Sequence, residues 1–522
     1  MRTQAHPNFL MMSSESVAAT LQSLPPEILS EIFIHSSTST ISVPPVLTDM
    51  PWVLGRVCRR WRDICRRERR IWGLVRVHSD LVDLHRVLEL VPPAVHLDLY
   101  LAVTEERPVV SELKPLGAPV LPSLVERTEK LDMLCWDGID GIFAESAFPL
   151  LRSLRVRCVK DASPHQSYRL FLAARHVREL CLHDGHESRK VSFVSLPFHW
   201  DNITMLDLGF NSGPSLVDFL LGLAQCTSLE HLRVSFTQNH TDTLIPKAIQ
   251  RFPRLHTVQI THIVPPALAN FVPQFWEHIA SLNLRSVEFQ DVGVLISALR
   301  QCSLLHTLSI SYLCWETTET LDIPVPLPRL VNLSVEVDST SMLFHHMIVP
   351  SLKNLHIRSD LTFNLVPLMD MLVSSECALQ TIDFAFYGNF PVEQWYNSGL
   401  HDLLAASQTV TSVKIPPLHT RIAEDFAEGN LLPRLHALEW RTHYDTCGLF
   451  LSVLEKRMRL EAGGGISLCR AVCLNQSIDD LVFAESRLQF LREEYRLDVQ
   501  VLSHTPEFMT WGLRINEWAK DF

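Results

Sequence analysis

Glycine is scarce in this chain, at 18 of 522 residues, about half the usual ~7%. Loops that cradle phosphate need glycine where backbone must approach an anion. The one glycine run, Gly463-Gly464-Gly465, lacks the Lys-Ser/Thr of a phosphate loop and reads as a loop. Long apolar runs are missing as well: no stretch reaches the ~18 residues of a membrane span, and the closest, Leu216 to Leu223, contains Asp218. Met1 to Thr20 has no basic start followed by an apolar core of signal-peptide length. The expectation is a soluble, intracellular protein of cytoplasm or nucleus. A formal charge of −12 supplies no overall basic field for nucleic acid. The 12 cysteines follow neither a disulfide framework nor zinc spacing; Cys469 and Cys473 are four apart with no second pair nearby. Buried free thiols in a reducing compartment are expected, with Cys58 and Cys65 in one helix. No His-Glu-x-x-His and no Gly-x-Ser-x-Gly occurs, and the paired carboxylates Asp479-Asp480 and Glu493-Glu494 are adjacent and solvated. These absences point away from an enzyme and call for no metal or cofactor.

What the chain does have is a repeat. An apolar-x-x-apolar-x-apolar motif recurs at Leu151/Leu154/Val156, Val177/Leu180/Leu182, Ile203/Leu206/Leu208, Leu229/Leu232/Val234 and Leu255/Val258/Ile260. Its middle residues, 154, 180, 206, 232 and 258, keep four successive steps of 26. Further copies are expected at Val287, Leu308, Leu333, Leu355, Ile382, Val413, Leu438 and Val472, with weaker early ones at Leu97 and Leu131. The last three residues of each motif alternate in, out, in, the mark of a strand with one buried face. Helical stripes lie between several motifs: Leu216/Phe219/Leu220/Leu223, Val292/Leu295/Ile296/Leu299 and Leu365/Leu368/Met369/Leu372. Strand then helix, at ~26 residues, falls in the leucine-rich-repeat range. A lone unit cannot bury its apolar edge, whereas stacked units can. The predicted fold is therefore α/β, a solenoid with parallel strands on its concave face and helices outside.

Ahead of the repeats, Leu24-Pro25-Pro26-Glu27-Ile28-Leu29-Ser30-Glu31-Ile32-Phe33 predicts a helix. The prolines suit its first turn and Glu27 its positive end, with Leu24, Ile28, Leu29 and Ile32 on one face. His35 to Pro51, rich in Ser, Thr and Pro, reads as a flexible connection. A second helix is expected over roughly Val53 to Arg70, aligning Leu54, Val57, Trp61 and Ile64, and Ile71-Trp72 closes the unit.

These blocks, above all Leu24-Pro25-Pro26-Glu27-Ile28-Leu29 with Val57-Cys58-Arg59-Arg60-Trp61-Arg62-Asp63-Ile64 and Ile71-Trp72, resemble the F-box family, in particular the fungal form with a Ser/Thr/Pro insert. The resemblance covers about 50 residues. It implies a three-helix module that docks on the small adaptor of a cullin–RING ubiquitin ligase, with repeats that hold a protein substrate for ubiquitin-dependent degradation. The expected organisation is a disordered N-terminus (1–20), the module (21–76, with its insert at 35–51), the solenoid (77–505) and a C-terminal cap or tail (506–522). Expected adaptor-binding residues are Leu24, Pro25, Ile28, Leu29, Ile32, Val57, Trp61 and Ile64, although Trp61 equally suits packing between the module's own helices. Expected substrate-binding residues are the outward strand positions Arg155, Asp207, Arg233, Gln259, Glu288, Ser309, Ser334, His356, Asp383, Lys414 and Glu439, which name no particular target. A scaffold whose F-box serves assembly or localisation without ubiquitin transfer is the alternative. The eight arginines between Arg56 and Arg70 read as a solvated face with favourable charge at a helix end. His231, His256, His306, His356 and His436 read as strand-edge polar residues of separate repeats, and no role falls to His345-His346.

Overall fold

A computed structural model describes residues 23–36, 41–43, 50–68, 71–72, 74–77, 91, 96–101, 120–135, 148–158, 174–184, 198–210, 222–236, 252–261, 273–285, 288–289, 292–315, 324–337, 343–359, 365–386, 399–416, 418–441, 447–461, 468–475 and 479–503. The expected N-terminal and C-terminal segments, the glycine run and most of the Leu216–Leu223 stripe lie outside these residues. The chain divides into two compact units, 1–214 and 215–522. Each is α/β, with parallel strands that do not close into a barrel. No helix among the described residues is long and apolar enough to cross a membrane.

The first unit opens with three helices: α1 (Pro26–Ser36), α2 (Met50–Val57) and α3 (Arg59–Arg67). The expected single helix from Val53 to Arg70 is broken at Cys58. This residue is extended (φ −159, ψ 171) and caps α3, its sulfur accepting from the Trp61 amide at 3.5 Å. A residue that satisfies one of the free amides of a helix start leaves the preceding helix to end. Cys58 and Cys65 therefore do not share a helix. α1 and α2 both pack on α3, and Leu29, Phe33, Leu54, Ile64 and Cys65 form the buried centre. Trp72 closes the group, donating from its indole to the Cys65 carbonyl at 2.6 Å and meeting Trp52 edge-on at 5.4 Å.

The segment expected to be a flexible connection contributes β1 (Ile41–Val43), which pairs in parallel with β2 (Leu74–Val77). Next come β3 (Leu97–Leu101), helix α4 (Val120–Arg127), β4 (Thr128–Cys135), β5 (Ser153–Cys158), β6 (Glu179–Asp184) and β7 (Met205–Phe210), each strand parallel to its predecessor. Register aligns Val75, Leu99, Leu131, Leu154, Leu180 and Leu206 in one column, all buried. The early copy thus centres on Leu99, with Leu97 on the same buried face one position pair before it.

The second unit repeats the arrangement through β8 (His231–Phe236), β9 (Thr257–Thr261), β10 (Ser281–Arg285), β12 (Thr307–Trp315), β14 (Asn332–Val337), β16 (Asn354–Ser359), β17 (Thr381–Phe386), β18 (Ser412–Ile415), β19 (Ala437–Arg441), β20 (Arg470–Asn475) and β21 (Asp498–Ser503). Each of these strands is parallel to the one named before it. Short β11 (Glu288–Phe289) pairs with the far end of β12, and β13 (Val325–Pro326) with β15 (Met347–Ile348). The buried column runs Leu232, Val258, Leu282, Leu308, Leu333, Leu355, Ile382, Val413, Leu438, Ala471, Val499. Two expected centres are corrected. The copy assigned to Val287, itself outside the described residues, centres on Leu282, which replaces steps of 29 and 21 by 24 and 26. The copy assigned to Val472 is shifted by one: Ala471 and Cys473 point inward, and Val472 lies opposite Glu439.

A tight turn precedes most strands and gives the repeat its second apolar position. The amide three residues before the column residue donates to the carbonyl six before it: Leu151 to Phe148, Leu255 to Phe252, Leu305 to Cys302, Leu435 to Leu432, at 3.2 to 3.4 Å except for 3.1 Å at Leu305. The acceptor residue is buried each time, as Phe148, Trp200, Cys226, Phe252, Trp276, Cys302, Leu327 or Val349. Two apparently scattered cysteines are explained here. Cys226 and Cys302 fill this slot, and their thiols donate back to the Gly222 and Ala298 carbonyls at 3.9 and 3.4 Å. Ser407 does the same toward Leu403 at 2.7 Å.

Helices α5 (Val292–Gln301), α6 (Val366–Ser375), α7 (Leu400–Ala406), α8 (Thr420–Ala427), α9 (Cys447–Glu461) and α10 (Asp479–Tyr495) fill gaps between strands. In α5, Leu295, Ile296 and Leu299 are buried as their spacing predicts; in α6 the buried stripe is Leu365, Leu368, Met371, Leu372, with Met369 only partly covered. Arg457 of α9 is fully buried and spans the end of α8. Its guanidinium donates to the Phe426, Leu431 and Leu432 carbonyls at 3.2, 3.1 and 2.6 Å and lies over the Phe426 ring at 4.6 Å. A cation at the carbonyl end of a helix also meets the negative pole of its dipole.

Two stability changes follow. Leu282→Asp should abolish cooperative unfolding of the 215–522 unit, because it buries an unpaired charge, while Glu277→Gln at a nearby exposed position should shift the melting temperature little. Arg457→Ala should cost about 1 to 3 kcal/mol by orphaning buried carbonyls, measured by denaturant titration; a loss below about 0.5 kcal/mol would contradict the role given to Arg457.

Candidate protein-binding and ligand sites

Of the adaptor-binding candidates, Leu29 and Ile64 are buried among the helices and cannot meet a partner without unfolding. Trp61 is half-buried, its ring 4.8 Å from that of Phe33 at a 56° tilt; Phe33, buried beneath it, was not among the sequence candidates. Leu24 is half-buried and its carbonyl accepts from Arg60, so α3 holds the entry to α1. The others are open: Pro25 is exposed, and Ile28, Ile32 and Val57 retain 48%, 39% and 55% of their accessible surface. Ile28 and Ile32 stand one turn apart on α1, an apolar stripe that the unit's own core does not use. Arg56, Arg59, Arg62, Arg66 and Arg67 are exposed, with Arg62 tied to the Gly55 carbonyl at 2.8 Å.

Register decides which strand candidates lie together. In the second unit the outward row is Arg233, Gln259, Asn283, Ser309, Ser334, His356, Asp383, Lys414, Glu439. Asn283 takes the place expected for Glu288, whose strand pairs elsewhere. Charges in this row pair with neighbours: His356 Nδ1 with Asp383 at 3.0 Å, its Nε2 with Arg358 at 2.6 Å, and Lys414 with Glu439 at 3.2 Å. Two positions earlier on the same face, Thr307, Asn332, Asn354 and Thr381 form a continuous amide–hydroxyl ladder with links of 3.1, 2.6 and 2.7 Å. The face is polar, with some of its charges paired and with Arg233, Arg285 and Arg358 near one another beside Glu336.

In the first unit the outward row is Arg76, Tyr100, Asp132, Arg155, Cys181, Asp207. The Arg76 and Arg157 guanidinium groups lie over the Tyr100 ring, at 4.8 and 5.5 Å. Asp132 pairs with Arg157 at 3.1 Å and Arg155 at 3.5 Å. Arg155 lies opposite Cys181 in the ladder. His183, two residues along β6 and on the same face, meets Asp207 through Nε2 at 3.3 Å. Gly209 lies opposite His183; a Cβ there would come within 3.1 Å of the imidazole Cγ, so a larger residue would push the ring by a few tenths of an ångström. Burial pushes the Cys181 thiol up to about 12, with the Asp207 carboxylate adding to the shift and Arg155 opposing it. A thiol that stays protonated is no nucleophile at neutral pH, so the Cys/His/Asp trio has the groups of a catalytic set without an activated sulfur.

Metal-ligand geometry nevertheless exists where spacing alone suggested none. Ligand atoms of Cys181, His183 and Asp207 lie within 4.8 Å of one another, and so do those of Glu230, His231 and His256. The second group corrects the reading of the histidines as separate: the His231 and His256 rings are 4.7 Å apart, edge to face. Asp207 is Cys181 plus one 26-residue step, so the repeat period combined with the Cys-x-His spacing carries the signal for the first group. No protein-family model and no curated protein sequence matches the chain.

Thiol chemistry offers a check on the burial pattern. Burial pushes Cys65 up to about 11, and Cys226 and Cys302 to about 12, leaving on the order of 10⁻⁴ thiolate at pH 8 for the latter two. Alkylation of the native protein at pH 8 should modify exposed Cys469 and spare these three until denaturant is added, read by peptide mass mapping. Labelling of Cys226 as fast as Cys469 would contradict the packing of its turn.

Proposed function

We propose that this chain is a non-catalytic substrate receptor of a cullin–RING ubiquitin ligase. Residues 24–72 act as an F-box that docks on the ligase adaptor, and a leucine-rich-repeat-like solenoid holds a protein target on its strand face. The observation that carries this reading is that Pro25, Ile28, Ile32 and Val57 stay exposed on or beside helices whose own core, Leu29, Phe33 and Ile64, is already filled. It lies within the segment whose sequence resembles the F-box. Such a surface gains free energy only by burial against a partner. The polar strand face, carrying both paired charges and clustered arginines, suits recognition of a folded protein or peptide. The chain's contribution to ubiquitin transfer is proximity: it raises the effective concentration of the target beside an enzyme brought by other subunits.

Interfaces of roughly 1,200–2,000 Å² rest on a few anchors. Replacing Ile28 and Val57 together by Glu should weaken adaptor binding by about 30- to 1,000-fold while leaving circular dichroism and melting largely unchanged. Leu29→Ala should do the converse, losing about 2–5 kcal/mol of stability in the helical segment. Calorimetric titration of the purified adaptor beside melting curves separates the two. Full adaptor affinity in a folded Ile28/Val57 double variant would sink this docking surface.

A further inference from the structure

We propose that the strand face of the first unit binds one divalent transition ion through Cys181 Sγ, an imidazole nitrogen of His183 and the Asp207 carboxylate, leaving a fourth position for water or an incoming ligand. Three donors from adjacent parallel strands converge, with Cys181 and Asp207 buried and His183 partly so. The His183 Nε2–Asp207 Oδ1 separation of 3.3 Å matches the edge of a tetrahedron with bonds of about 2.0–2.1 Å to nitrogen and oxygen. The ion would thus replace that hydrogen bond with little movement. Gly209, opposite His183 in the ladder, leaves room for the ring at this place.

Donor chemistry selects the ion. Sulfur with nitrogen and one carboxylate suits zinc or cobalt; magnesium and calcium take oxygen ligands and do not choose a thiol. Cys181 coordinates as thiolate, its proton passing to solvent as the S–metal bond forms. Arg155 lies opposite Cys181 in the outward row and pairs with Asp132 at 3.5 Å, so its guanidinium stands beside the coordinated sulfur outside the ligand set. Such partners orient and hold ligands, and Asp132 offsets the cation that Arg155 brings. Three protein donors and one open position are the arrangement of a site that accepts a further ligand. The site lies in the same row as Arg155 and Asp207, both expected to face a bound partner. Its existence is independent of adaptor docking.

The test is cobalt titration of the full, reduced, chelator-treated chain under anaerobic conditions. Wild type should develop a near-ultraviolet thiolate-to-cobalt band saturating at one equivalent and bleached by zinc. Cys181→Ser should lose the band and weaken zinc binding by at least about 100-fold in competition with a chromophoric chelator. His183→Gln and Asp207→Asn should each weaken it by about 10- to 100-fold. His183→Gln, at a half-exposed position, keeps the test decisive should Cys181→Ser fail to fold. His231→Gln, which alters the Glu230/His231/His256 group, should leave the band unchanged. Absence of a thiolate band in wild type, or an unchanged band in folded Cys181→Ser or His183→Gln, would overturn the proposal.

Discussion

Most repeats depend on one backbone arrangement, a carbonyl just before the strand that receives two amides from the next repeat. Arg152 O accepts from Arg178 and Glu179 at 2.8 and 3.0 Å, and Arg178 O from Thr204 and Met205 at 2.8 and 3.0 Å. His256 O accepts from Ala280 and Ser281 at 2.9 Å each. The same pattern continues through Ala280, His306, Val331, Lys353, Gln380, Thr411 and His436. A buried backbone group must be paired, so each strand start is pinned to its predecessor irrespective of what lies between. The intervening chain is then free to vary. Successive column residues in the second unit are separated by as few as 22 residues, Leu333 to Leu355, and as many as 33, Leu438 to Ala471, with no loss of register.

That tolerance explains what could be read from the amino-acid order and what could not. Where the beat is 26, strand centres are legible to the residue: Leu154, Leu180, Leu206, Leu232 and Val258 all sit in buried columns. The Val287 assignment failed because Val287 and Phe289 imitate the alternation five residues beyond the true strand, whose only apolar residues are Leu282 and Leu284. Around Val472 every residue of Ala-Val-Cys-Leu is apolar, so alternation alone could not fix the phase; the ladder from β19 does. In four repeats the turn six residues upstream shows in the sequence as Phe148-Pro149, Phe252-Pro253, Leu327-Pro328 and Leu432-Pro433, but the two misplaced repeats have Trp276-Glu277 and Gly465-Ile466 there and give no such sign.

In the helical segment, the apolar spacing of α1 was readable but the division of its face was not. Ile28 and Leu29 are adjacent and equally apolar, yet one is exposed and the other buried, because α3 approaches from one side only. The break at Cys58 had no proline or glycine to announce it; a thiol capping an amide is a weak signal. Convergence of Cys181, His183 and Asp207 is a property of register: neighbours across a parallel sheet lie a full repeat apart in sequence. Helical packing and strand register thus divide the roles, the first leaving an apolar stripe open and the second gathering polar side chains into rows.

The central claim is that the apolar stripe of residues 24–72 joins this chain to a ubiquitin ligase. Mixing the full chain with purified adaptor and cullin, then resolving complexes by size-exclusion chromatography with light scattering, measures it directly. The account predicts a complex of one chain, one adaptor and one cullin. A chain that elutes alone, or that retains adaptor but never cullin, would contradict it.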